Sequence, residues 1–315
     1  MRPVTVEPPS APVPALGAPP PRDVALLAVV VAAVSTSGPL VVATAVPALA
    51  IAFWRNALGA VAVGGYVATR PRRRAELAGL TRRELRLSGV AGVFLALHFA
   101  TWIPSLRLTS VASSVALVCL QPVWGVLIAR ARGHAVPRQA WAGIAIAFGG
   151  VLVLTGIDAG QGRQVLLGDL LAIVGGMAAA GYVTVGAEVR RTVSTSPYTL
   201  LCYSLCAMLL AGTCLATGAS FSGYTQADWA RIVLLTILAQ LLGHTLANVV
   251  LRTTSATVVS LAILLEVPGS IIVAALLLGQ VPPLEVLPAV ALMLGGIVVV
   301  VRAQTPVGVD PEPPG

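Results

Sequence analysis

The chain has little charge, few aromatic residues and no lysine. Charged residues fill 10 % of its 315 positions, against roughly 25 % in soluble domains. That is too little charge to cover a water-soluble core. Cysteine occurs four times, and Cys119, Cys202, Cys206 and Cys214 all fall inside apolar runs without paired metal spacing. They read as small packing residues, and neither a zinc site nor a disulfide framework is expected. A Walker A loop, a dinucleotide-binding loop and a Gly-x-Ser-x-Gly elbow are also missing, so no cofactor and no ATP-driven chemistry are expected. Glu266 is the only acid near the middle of an apolar run, and it has no aspartate partner for a protease dyad.

What is present is hydrophobic. Apolar residues make up 57 % of the chain, and mean hydropathy is +0.91. A membrane span needs about 20 apolar residues. Ten such runs lie near 24–43, 48–69, 87–105, 110–129, 139–156, 168–187, 197–217, 229–251, 254–278 and 284–302. The expected fold class is an all-α membrane protein of ten transmembrane helices. The connections at Ile157–Val165 and Gly218–Asp228 read as the longer outer loops. Residues 1–23 are rich in proline and alanine and lack the apolar core of a signal peptide. They read as a disordered tail, as do residues 303–315.

The net charge of +8 comes with 20 basic residues, all arginine. Nucleic-acid binding does not follow, because the arginines sit in short loops between spans. Arg70, Arg72, Arg73, Arg74, Arg82, Arg83 and Arg86 follow span two; Arg130, Arg132 and Arg138 follow span four; Arg190 and Arg191 follow span six. The positive-inside rule makes that face cytoplasmic and both termini with it. A multi-pass protein of the plasma (inner) membrane is expected.

The pattern occurs twice. His98-Phe-Ala-Thr-Trp-Ile-Pro-Ser-Leu-Arg107-Leu-Thr-Ser110 answers to His244-Thr-Leu-Ala-Asn-Val-Val-Leu-Arg252-Thr-Thr-Ser255, a shift of 146 falling to 145. Asp23 answers to Asp169, Val136-Pro137 to Val281-Pro282, and Gly149-Gly150 to Gly295-Gly296. The units are 24–156 and 168–302, each with five spans. Five is odd, so the second copy enters the bilayer upside down. Two inverted halves around a midplane site are a frequent plan of secondary transporters.

Polar groups inside spans are costly and therefore informative. Glu266 reads either as a substrate-ammonium or proton site or as a structural acid bonded between helices. Ala262, Ile263, Gly269 and Ser270 are expected on its helix face. Thr236, Gln240, His244 and Asn248 recur every four residues, a slowly turning stripe on a regular helix. They read as a cavity wall, or as bonds between helices. His98 and Trp102 lie four apart on span three; Trp102 suits either a pocket or the interfacial belt. Arg55 either grips a substrate carboxylate or snorkels to the surface. Gln121 is the approximate repeat mate of Glu266. Tyr182 and Tyr203 read as wall residues or as packing. Pro39, Pro122, Pro268 and Gly269 should bend their spans, and Gly175-Gly176 and Gly295-Gly296 should allow close helix approach.

Phe53-Trp54-Arg55-Asn56-Ala57, Leu120-Gln121-Pro122, Leu265-Glu266-Val267-Pro268 and the glycine pair in each last span carry a resemblance. Over about residues 24–302 the chain resembles EamA-type proteins of the drug/metabolite transporter superfamily. The resemblance implies a non-enzymatic transporter of small organic solutes such as amino acids, metabolites or drugs, with export favoured over uptake. Proton exchange at Glu266 or His244 and a homodimer are compatible with it. The competing readings are an intramembrane enzyme on a lipid-linked substrate and a channel or scaffold subunit.

Overall fold

The computed structural model describes residues 20–243, 246, 247, 250, 254 and 256–303. Among them there are helices and no strands. His244, Asn248, Arg252 and most of both tails lie outside the described residues. Among the described residues, nine helical stretches are long and apolar enough to cross a membrane. The protein is an all-α membrane protein. Leu152, Leu215 and Leu276 are each more than 70 % exposed on the outside of the bundle, a surface that suits lipid and not water.

Span one is α1 (Pro21–Ser35) and α2 (Ser37–Ala43), and span two is α3 (Ala48–Ala68). The arginine-rich stretch, read as a loop, begins with a short surface helix, α4 (Pro71–Ala78). Span three is α5 (Arg82–Ser105), span four is α6 (Val111–Val118) with α7 (Gln121–Ala131), and span five is α8 (Arg138–Ala159). Then come α9 (Arg163–Val189), α10 (Thr195–Thr217) and α11 (Gln226–Leu235), the last running into a π-helix, Thr236–Gly243. Span nine is α12 (Ala256–Ile263) with α13 (Glu266–Leu278), and span ten is α14 (Val286–Ala303). The connection expected at Ile157–Val165 is only residues 160–162, because α8 and α9 extend past their apolar cores.

Among the described residues three spans are broken, and proline explains each break. Pro39 has no N–H for the carbonyl of Ser35, and its ring clashes with it. The helix stops at Thr36, and Ser270 Oγ donates to the freed Ser35 carbonyl at 3.0 Å. Pro122 and Pro268 each fall in the first turn of a second half-helix, where proline is tolerated. Gln121 and Glu266 are therefore both first residues of a half-helix. Glu266 does not continue the helix of Ala262 and Ile263, so the continuous face expected there is interrupted. On its C-terminal side Gly269 packs so closely on the Ser35 side chain that a Cβ would collide with it.

The two halves pack through equivalent pairs. Span three lies along span six, and its mate span eight lies along span one. Spans two and seven pack together, as do spans five and ten. In the last pair the backbones nearly touch. A Cβ on Gly143 would lie 2.7 Å from the carbonyl oxygen of Gly296, and one on Gly150 would lie 2.7 Å from Met293 N. The glycine pairs are not equal partners here: Gly296 is enclosed, but a Cβ on Gly295 would meet nothing within 4 Å.

Helix caps repeat the inverted relation. Thr81 caps α5 in a box with Glu84, whose second oxygen accepts from Thr192 Oγ1 at 2.6 Å in the turn between spans six and seven. Thr225 caps α11 and bonds Asp228, whose Oδ1 accepts from Ala45 N at 3.2 Å in the turn between spans one and two. Arg107 donates to the carbonyls of Val42, Thr44 and Val46 in that same turn. Asp23 accepts from Thr254 Oγ1 at 2.6 Å. Its mate Asp169 follows Gly168, which packs against Thr109, the mate of Thr254.

Candidate functional site

Arg55 lies two turns into α3 and is 2 % exposed, so it does not snorkel. Its Nε donates to Gln240 Oε1 at 2.9 Å. The Gln240 amide nitrogen points at Asn56 Oδ1, 3.5 Å away, and the Asn56 amide donates to the Ala52 carbonyl at 2.8 Å. The guanidinium carbon stands 4.4 Å from the centre of the Phe99 ring on α5. One guanidinium nitrogen, Nη1, is buried without a hydrogen-bond partner. A buried cation demands acceptors, and leaving one donor unmatched is costly.

The π-helix sets the position of Gln240. In a π turn the ladder closes five residues back, so residues spaced by four fall short of one turn. The even stripe expected on span eight is thus distorted where it is described. Thr236 and Gln240 are buried, and Thr236 Oγ1 bonds the Ile232 carbonyl at 2.8 Å. Gly59, one turn beyond Arg55, makes room for this contact. A Cβ there would lie 2.6 Å from Gln240 Nε2 and 3.1 Å from the Tyr203 ring.

Glu266 enters from span nine. It and Arg55 are within range of each other's charge, as are Tyr203 and Cys206 on α10, yet no direct ion pair joins Glu266 to Arg55. Arg55, Asn56, Phe99, Tyr203, Gln240 and Glu266 thus form one polar centre with walls from both halves. Phe99 and Asn56 were not singled out from sequence. Asn56 stands beside Arg55 in the quoted motif, but nothing marks Phe99 among other apolar residues.

Other expected residues lie elsewhere. His98 Nδ1 is 2.9 Å from the Gly175 carbonyl, and its ring stacks on Trp102 with centroids 5.5 Å apart. This ties span three to span six. Trp102 is 5 % exposed, which removes it from a lipid-facing belt, and its Nε1 has no partner. Tyr182 stacks on Tyr198 at 6.1 Å, towards the arginine-rich face. Gln121 is half-buried at the head of α7. The four cysteines are free.

Each face beyond the centre is sealed differently. Opposite the arginine-rich face, Trp54 Nε1 donates to the Phe221 carbonyl at 2.9 Å, and Trp54 meets Trp229 edge-on at 4.8 Å. At the arginine-rich face Ser194 N donates to Glu76 Oε1 at 2.6 Å, and Arg73 pairs with Glu76. Slight burial pushes the Glu76 carboxyl up, but Ser194 and Arg73 outweigh it and hold it below the usual carboxylate range.

A buried polar centre among nine described helical stretches long and apolar enough to cross a membrane, with three spans broken by proline, points to a multi-pass membrane transporter. The EamA-like transporter family matches twice, at residues 24–156 and 166–302. The chain belongs to that family, within the drug/metabolite transporter superfamily. A solved crystal structure is similar with a TM-score of 0.62 and 19 % identity, covering 89 % of this chain and 96 % of that one. At that identity the likeness concerns the fold. No curated protein matches the chain.

Proposed function

We propose that this protein is a secondary carrier that exports a small organic solute bearing a carboxylate or another anionic group. The observation that carries the reading is the buried Arg55, which keeps one guanidinium nitrogen unpaired at the junction of the two halves. Gln240 orients the guanidinium, Phe99 faces it, and Glu266 supplies a second, opposite charge for a zwitterion's ammonium or for a proton. The arginine-rich face is cytoplasmic by the positive-inside rule, in the plasma membrane, with both termini on that side. The solute crosses unchanged, by alternating access around the Arg55 centre.

The test is transport by purified protein in liposomes, with chemical analysis of the solute afterwards. Arg55→Gln should lower transport of an acidic or zwitterionic solute about tenfold or more, the value of one charge-assisted hydrogen bond. Glu266→Gln should keep binding of a purely anionic solute while flattening any pH dependence of its movement. Wild-type rates in the Arg55 variant would sink the assignment.

A further inference from the structure

A polar cavity lies at the arginine-rich face, between α5 and α9, with a volume of about 320 Å³. It is far along both helices from Arg55, and the transport reading does not use it. Three arginines line it from three places in the chain: Arg83 at the start of α5, Arg132 after α7, and Arg191 after α9. Glu188 is matched by Arg83, with which it forms an ion pair. Glu84 is matched by Thr81 and Thr192. The Arg132 and Arg191 guanidiniums neither hydrogen-bond nor ion-pair with any described residue, and only their backbone N–H groups are engaged, with Ile128, Ala129 and Glu188 carbonyls. The cavity therefore presents two uncommitted planar forks of N–H donors, the geometry that suits phosphate oxygens.

The floor is mainly apolar, and its one hydroxyl, Thr184, already donates to the Ala180 carbonyl at 2.7 Å. Leu87 lies one turn below Arg83, and Ala187 lies one turn below Arg191. Continuing down the same helix faces, Val90 and Val183 are 46 % and 49 % exposed on the lipid side of the bundle. Residues three and four apart share a helix face, so the cavity leads directly onto two lipid-facing stripes. A charged rim above an apolar track is the shape of a lipid headgroup site, and basic pockets between spans bind anionic headgroups.

We propose that this cavity binds a phosphate-bearing group, that of an anionic phospholipid, with Arg132 and Arg191 as its ligands. Because the two arginines come from different halves, the bound phosphate bridges the halves at this face. Native mass spectrometry of the full chain tests it, with dioleoyl phosphatidylglycerol as the probe and dioleoyl phosphatidylcholine, whose phosphate is balanced by its own choline cation, as the zwitterionic, net-neutral control. The Arg132→Gln/Arg191→Gln double variant should lose about tenfold or more of its phosphatidylglycerol binding, with phosphatidylcholine binding unchanged. An Arg72→Gln/Arg74→Gln variant on α4 removes the same charge from the same face and should bind like wild type. Equal losses in both variants would mean bulk surface charge and overturn the site, as would undiminished binding in the first. An unchanged Tm in phosphatidylcholine shows that each variant is folded. A competition arm with millimolar inorganic phosphate separates the sources. Persistence of the lipid identifies a headgroup site, and displacement in wild type, with phosphate raising Tm there but not in the double variant, identifies the same site with a soluble phosphate as occupant.

Discussion

Gly59 shows how one missing side chain supports the polar centre. A methyl group there would press on the amide of Gln240 and the ring of Tyr203, both of which contact or face the Arg55 environment. Gly59→Ala should therefore reduce transport by about tenfold, in line with the 1–3 kcal/mol of an overpacked core. Gln240→Ala in the same chain should relieve the clash, so the double variant should be no worse than Gln240→Ala alone. Transport assays on the three variants check this. Arg55 was legible in sequence because a charge in an apolar run needs a reason. Gln240 was legible because an uncharged amide in an apolar run also needs a partner. Phe99 was not, since an aromatic residue in a span is ordinary until a cation is found over its ring; Tyr203 was named as a wall or packing residue without a link to Arg55. The π turn was also hidden: Thr-Ile-Leu-Ala-Gln-Leu-Leu-Gly contains no breaker that distinguishes it from an α-helix.

At the level of elements, the broken spans are the part most fully written in the chain. Proline cannot supply the bond to the fourth residue back, whatever the tertiary context, so Pro39, Pro122 and Pro268 announce their breaks. What sequence could not show is who serves the freed carbonyl. Ser270→Ala should leave the Ser35 carbonyl unserved and lower stability by about 1 kcal/mol, read as a lower Tm in detergent. Glycine at 270 would confuse the test by loosening α13. The surface helix α4 carries a pH-dependent attachment. Glu76 is held below its ordinary range, so its bond to Ser194 stabilises the folded state above about pH 4.5 and is lost as pH falls through the lowered value. The Tm gap between wild type and Glu76→Gln should be present at pH 7 and close towards pH 4. A gap that widened in acid would reverse the assignment.

For the whole molecule, the inverted relation predicts opposite effects from equivalent changes. Glu84 holds the turn between spans six and seven, and Asp228 holds the turn between spans one and two. Glu84→Gln should raise hydrogen exchange in residues 189–194 and leave 42–47 unchanged; Asp228→Asn should do the reverse. Exchange that rose at both turns in both variants would mean general loosening and not two separate fastenings. The duplication itself was plain from His98 and His244, but these fastenings were not, because Thr81 and Thr225 are offset by 144 and a cap pairs with a turn far away in sequence.

The glycine contacts between spans five and ten carry one mechanical consequence. Where Gly143, Gly150 and Gly296 let two backbones meet, main-chain atoms of one helix press on the other, and Met293 and Val300 are the side chains that close the gap. That seam behaves as a keel joining the halves, and it travels through the cycle as one piece. Displacement must then be taken up by the proline-broken spans on the other side of the solute, so spin labels across the keel should hold a constant separation while labels across spans one and nine report the stroke.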